Sequence, residues 1–184
     1  MKRFTISLFL AICFFSLSGC DRIYGFLHKP GGEERAILGE VVFNEYNAKV
    51  EAVQKYLRLL GYAIGRSDGK FGASTRDAVA RFQADEGLEV TRFVDKATWA
   101  SLQYFVASPF VKNDALNAKA IQHALVKLGY DVGRVDGQMG TQTKSAIRRF
   151  QKARGLGADG LMGLKTLRVL IRETASEAPA PVAP

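Results

Sequence analysis

Few side chains in this sequence could do covalent or metal chemistry. There are two histidines, His28 and His123, and two cysteines, Cys13 and Cys20. Metal-assisted hydrolysis takes several His and carboxylate ligands around one ion, and thiol catalysis takes a free, activated cysteine. The carboxylate pairs Glu33–Glu34 and Asp85–Glu86 are adjacent in sequence. Neighbours on a helix point to different faces, so paired acid–base work lacks support and both pairs read as solvated charge. The expectation is a protein that is not an enzyme and that needs no metal or cofactor.

The polar residues that recur are of another kind. Sliding the sequence by 68 positions aligns "AVQKYLRLLGYAIGRSDGKFGASTRDAVARFQADEGL" from Ala52 with "AIQHALVKLGYDVGRVDGQMGTQTKSAIRRFQKARGL" from Ala120 without a gap. About twenty identities in a unit of roughly fifty residues mark a structural repeat. Gln54 and Gln122, Tyr62 and Tyr130, Arg66 and Arg134, Asp68 and Asp136, and Gln83 and Gln151 recur at matching places, while His123 aligns with Lys55 and so reads as a solvated helix position. An aromatic platform, a guanidinium fork for carboxylate and amide hydrogen bonding are what a polar ligand requires. The candidate ligand-binding residues are Tyr130, Arg134, Asp136, Gly137, Gln151, Asp159 and Gly160, with Tyr62, Arg66 and Asp68 of the first copy. Each also has a purely structural reading: Tyr130 packing behind a helix end, Asp136 forming a turn, Arg134 as its ion partner, Gln151 as a helix-surface amide.

The elements that must position these residues are helices. Val53, Leu57 and Leu60, matched by Ile121, Leu125 and Leu128, form one apolar stripe, and Ala78, Val79 and Phe82, matched by Ala146, Ile147 and Phe150, form a second. Such spacing turns one face of a helix to a core. Trp99, Leu102, Phe105 and Val106, or Leu164, Leu167, Leu170 and Ile171, make a third. The first two helices of each copy end on Gly61-Tyr62, Gly87-Leu88, Gly129-Tyr130 and Gly155-Leu156, the C′ glycine followed by an apolar residue that closes a helix. The fold class is all-α, with two tandem three-helix modules.

The pattern D-G-x-[FM]-G-x-x-T occurs three times, at Asp68, Asp136 and Asp159. It reads as a loop leading into a helix, with Asp bonding turn amides, the first Gly at positive φ and the apolar residue plugging the core. In the first copy its second instance is Thr91-Arg92-Phe93-Val94-Asp95-Lys96-Ala97-Thr98, where Arg92 and Asp95 replace glycines. That loop is therefore expected to change shape, leaving most ligand affinity to the second copy.

The full pattern, L-x-x-L-G-Y-x-x-G-x-x-D-G-x-[FM]-G-x-x-T-x-x-A-[VI]-x-R-F-Q-x-x-x-G-L, resembles the peptidoglycan-binding domain found as an accessory module on bacterial cell-wall hydrolases and transpeptidases. The resemblance covers roughly residues 48–104 and 116–172. It implies compact three-helix modules that hold cell-wall glycopeptide, with peptidoglycan as partner and a cell-wall enzyme as a possible second one.

The chain begins Met1-Lys2-Arg3, followed by an apolar run to Phe15 and by Leu17-Ser18-Gly19-Cys20. This has the form of a secretory signal peptide, and the last four residues resemble a bacterial lipobox, which makes Cys20 the predicted lipidation site and membrane anchor. Stable attachment takes more than one acyl chain, and the resemblance implies multiple acylation. Cys13 would leave with the signal peptide, so no disulfide is expected. Asp21 after the anchor resembles the inner-membrane retention signal of enteric lipoproteins, which leans the expectation to the inner membrane on the periplasmic side and leaves the outer one open. The net charge is +8, about +6 without the signal peptide, with 24 Lys and Arg against 18 Asp and Glu. A basic balance suits polyanions, but an exported lipoprotein meets little nucleic acid, so none is expected as a partner. The predicted organisation is a signal peptide at 1–19, anchor and linker at 20–47, the first module at 48–106, a linker at 107–113, an independently folding second module at 114–173, and a disordered Ala/Pro-rich tail at 174–184.

Overall fold

The computed structural model describes residues 45–176. The expected signal peptide, the lipidation site Cys20, Asp21 and His28 lie outside the described residues. Three helices, α1 (Ala48–Leu59), α2 (Ala73–Glu86) and α3 (Lys96–Val106), precede a two-stranded ribbon of β1 (Val111–Lys112) and β2 (Ala115–Leu116). Three further helices follow, α4 (Ala118–Lys127), α5 (Thr141–Ala153) and α6 (Leu164–Ser176). Two three-helix modules result, as the repeat implies.

The helix ends follow local chemistry. Asn47 starts α1, its side-chain oxygen accepting from the Lys49 amide at 2.8 Å, and Asn117 does the same for α4 through Ala120. At the other end of α1, Gly61 sits at φ 94° and the Tyr62 amide reaches back to the Leu57 carbonyl. Tyr130 to Leu125, Leu88 to Gln83 and Leu156 to Gln151 repeat that closure. This is the left-handed cap with a backward 6→1 bond.

The stripes read from the sequence form the core. Val53, Leu57, Phe82, Leu102, Phe105, Ile121, Leu125, Ile147, Phe150, Leu167 and Leu170 are fully buried. The plug residues Phe71, Val94 and Met162 are buried, whereas Met139 is only partly so.

The expected linker at 107–113 is instead packed structure. Ser108 and Phe110 are buried, and the ribbon turns on Asn113 and Asp114, at φ 52° and 57°. Two consecutive left-handed residues give the tight hairpin turn that matches strand twist. At the other end, α6 continues to Ser176, three residues past the expected end of the second module.

The modules are also docked, which the expectation of two independent bodies had not included. The Leu164 amide at the start of α6 donates to the Leu60 carbonyl at the end of α1, at 2.9 Å. Arg168 pairs with Glu86 and lies over the Phe105 ring. The buried apolar residues of both modules form one cluster.

Candidate functional site

Each D-G-x-[FM]-G-x-x-T loop is organised by a glutamine on the preceding helix. Gln122 of α4 donates through Nε2 to Asp136 Oδ1 (3.0 Å), the Gln138 carbonyl (3.0 Å) and Thr143 Oγ1 (3.0 Å), while its Oε1 accepts from the Gly137 amide (2.8 Å). Gln151 of α5 repeats this with Asp159, the Leu161 carbonyl, Thr166 and the Gly160 amide, at 2.8 to 3.0 Å. Gln54 does so with Asp68, the Lys70 carbonyl, Thr75 and the Gly69 amide. A primary amide has two donor hydrogens, so with three acceptors at least one hydrogen is shared between two of them.

The glutamines are buried, between 0 and 2 % exposed, and a buried amide is tolerated only when satisfied. The carboxylates are exposed on their outer side. Gln122 and the Gln138 amide hold Asp136 below the usual carboxylate range; the Leu161 amide and Gln151 do the same to Asp159, and the Lys70 amide and Gln54 to Asp68.

The altered loop of the first module keeps this shape, which corrects the expectation. Gln83 donates to Thr91 Oγ1, the Phe93 carbonyl and Thr98 Oγ1, and accepts from the Arg92 amide at 2.9 Å. The Thr91 hydroxyl takes the place of the carboxylate. Arg92 occupies the left-handed position at φ 65° in place of glycine and pairs with Asp77. Asp95 sits at φ −80°, where no glycine is needed, and caps α3 by accepting from the Thr98 amide at 2.7 Å.

Gln151, expected as a ligand contact, has both ends of its amide committed inside the protein and organises its loop. Gly137 and Gly160 supply the positive φ, 79° and 77°, and the amide that the glutamine reads. The tyrosines pack edge-on against core rings, Tyr62 on Phe82 at 6.0 Å and Tyr130 on Phe150 at 5.6 Å. Arg154, which caps α5, donates to the Tyr130 hydroxyl and bridges to Glu173 of α6; among the described residues no hydrogen bond joins Tyr130 to Arg134 or Asp136. Arg134 and Arg66 are exposed, and neither guanidinium makes a hydrogen bond or ion pair among the described residues. His123 is exposed on α4, and among the described residues no group of three His, Cys, Asp or Glu could hold a metal ion.

One place brings sequence candidates of both modules together. A cleft of about 410 Å³ between the modules is lined by Tyr62 and Asp85 from the first and by Gln151, Leu156, Asp159, Leu161, Lys165 and Thr166 from the second. The Tyr62 hydroxyl donates to Asp85 Oδ2 at 2.8 Å, and burial, reinforced by that bond, pushes its pKa up. Lys165 stands 3.5 Å from Asp85 across the module boundary. The repeat gave no hint of Asp85, Leu161 or Lys165. The glutamine–threonine pairing, by contrast, was legible in the shared offsets of 14 and 21 residues from Gln54 and Gln122, and of 8 and 15 from Gln83 and Gln151.

Paired all-α modules with loops held in one shape define a protein built by duplication of one small helical unit. The chain belongs to the family described as "Putative peptidoglycan binding domain", matched at residues 46–102 and 115–170. It is similar to the N-acetylmuramoyl-L-alanine amidase CwlM of Mycobacterium tuberculosis, with 34% identity over 112 residues covering 54% of this chain and 27% of the relative. A probable N-acetylmuramoyl-L-alanine amidase of Bacillus licheniformis is 31% identical over 144 residues, 64% of this chain and 40% of the relative. The type VI secretion system spike protein VgrG3 of Vibrio cholerae is 39% identical over 71 residues, 32% of this chain and 7% of its own length. The chain thus spans less than half the length of these curated relatives. No solved structure matches.

Proposed function

We propose that this protein is a non-catalytic, lipid-anchored binder of peptidoglycan that tethers the membrane to the cell wall through Cys20. The observation that carries the reading is the tandem pair of family modules. All four loops of the pair keep the glutamine-held shape. A helical module whose loops are held by internal hydrogen bonds presents its exposed carboxylates and arginines without reordering on binding, which keeps the entropic cost of association low. Two modules in one body add effective concentration toward a repeating polymer. The lipobox-like Leu17-Ser18-Gly19-Cys20 motivates the anchor.

Pulldown with protein-free sacculi tests the wall side. Retention is expected for the purified protein, and its absence would remove the reading. Labelling with radioactive palmitate tests the membrane side: Cys20→Ala is expected to lose the label, and equal labelling of the variant would remove the anchor. Fractionation then assigns the inner or the outer membrane. A second reading, recruitment or restraint of a cell-wall enzyme through the same modules, is favoured by relatives named as amidases. Retention by a hydrolase in the absence of sacculi would support it.

A further inference from the structure

The cleft between the modules has a mixed lining with a definite polarity. Asp159 spends Oδ1 on Gln151 and the Leu161 amide, and its other oxygen accepts no hydrogen bond among the described residues. Asp85 takes the Tyr62 hydroxyl on one oxygen and faces Lys165 at 3.5 Å with the other. Lys165 is 69% exposed at the side chain, and an exposed pair of this kind is weak and readily exchanged. The backbone amides of Lys165 and Thr166, in the first turn of α6, donate to no acceptor among the described residues. Unsatisfied amides at a helix start favour a negative group. Leu156 and the 60%-exposed Leu161 add apolar surface to the lining of the same cleft.

The acidic end is notable for where it lies. α5, which runs alongside, carries Lys144, Arg148, Arg149 and Lys152 and no acidic residue. The equivalent place on the second module lacks the acid, because Ala153 and Arg154 stand where the first module has Asp85 and Glu86, and Arg154 is bound to Glu173.

The geometry points to this cleft as a binding site for a short peptide bearing both a free amine and a free carboxylate, its ammonium held by Asp85 and Asp159 and its carboxylate by Lys165 and the start of α6. On peptidoglycan such a group is an uncross-linked peptide stem, so this inference rests on the wall-binding reading above. At about 410 Å³ the cleft lies within the range of small-ligand sites, roughly 300–1,000 Å³. Binding releases Lys165 from a weak internal pair and gives both partners a new one. Since Asp85 comes from the first module while Asp159, Lys165 and α6 come from the second, the docked arrangement completes the site, and affinity is not the property of the second module by itself.

The test uses the full-length protein in detergent and protein-free sacculi, native or N-acetylated with acetic anhydride. Lys165→Glu is expected to lower retention about tenfold, the order of effect of reversing a charge within a partly desolvated contact. Lys112→Glu, the same charge change on the ribbon, is expected to alter it by less than about twofold, as a screened surface charge does. Asp85→Asn is expected to weaken binding to native sacculi and to leave binding to acetylated sacculi unchanged, because acetylation has already removed the amine. Equal retention of the two lysine variants, or undiminished binding of the wild type to acetylated sacculi, would overturn the assignment of the cleft while leaving wall binding intact. Failure of the wild type to bind native sacculi would instead remove the wall-binding reading beneath it.

Discussion

Replacing Gln151 with Leu isolates what the buried amide does for its loop, since Leu fills a similar volume and forms no hydrogen bond. The substitution strips the Gly160 amide of its acceptor and the Leu161 carbonyl of its donor. Asp159 is exposed and can turn to water, and the Thr166 hydroxyl can rotate. Gly160 is buried, and a buried polar group left without a partner costs about 1–3 kcal/mol. Leu161 is exposed and its carbonyl can turn to water, so the Gly160 amide sets the expected loss at about 1–3 kcal/mol. For a folded body of this size each kcal/mol lowers Tm by about 4 °C, so Tm should drop by roughly 4–12 °C. Urea unfolding of Gln151→Leu beside Asp159→Ala provides the comparison, because the Asp variant leaves the Gln amide two acceptors and should cost only about 1 kcal/mol. A loss for Gln151→Leu that is below about 1 kcal/mol, or no larger than that of Asp159→Ala, would refute the claim that the glutamine organises the loop.

Gly160→Ala should destabilise more than Gly155→Ala in the same denaturation assay. Both sit at positive φ, but a Cβ at Gly160 meets the Lys144 carbonyl at 3.0 Å while one at Gly155 meets nothing within 4 Å. Asp95→Ala is expected to cost about 1 kcal/mol by removing the cap of α3, whereas Asp95→Gly, which restores the glycine of the repeat, should cost only about a few tenths of a kcal/mol. The folded pKa values of Asp68, Asp136 and Asp159 lie below their ordinary value of 3.8. The unfolded chain therefore binds more protons near that pH. The stability these groups contribute is fully present above about pH 4–5 and is lost as pH falls through their folded values. Thermal scans from pH 7 to 2 check this, and replacing the three with Asn should flatten the acid limb. Arg168→Ala, which removes the Glu86 pair and the contact with Phe105, is expected to split a single calorimetric transition into two as the modules uncouple.

The sequence alone determined the helices, their ends and the duplication, because each rests on local chemistry. The stripe of Val53, Leu57 and Leu60 faces a core wherever that helix is placed, and Gly61 or Gly129 closes a helix through its own backbone freedom. The family followed from the same residues. Gln54, Gln83, Gln122 and Gln151 were visible as repeated polar positions, yet whether they pointed to solvent or inward depended on the loop folding back over them, which spacing suggests and only packing decides. Arg92 read as a broken loop because a side chain at positive φ is costly, roughly 1–2 kcal/mol; Gln83, donating three hydrogen bonds and accepting one from the Arg92 amide, holds the loop in that shape all the same. Tertiary structure alone decided the docking of the modules. Leu60 and Leu164, Glu86 and Arg168, and Asp85 and Lys165 lie in different copies, and no periodicity relates them. Their meeting depends on how one module's surface fits the other's, and the cleft exists only where that fit leaves a gap.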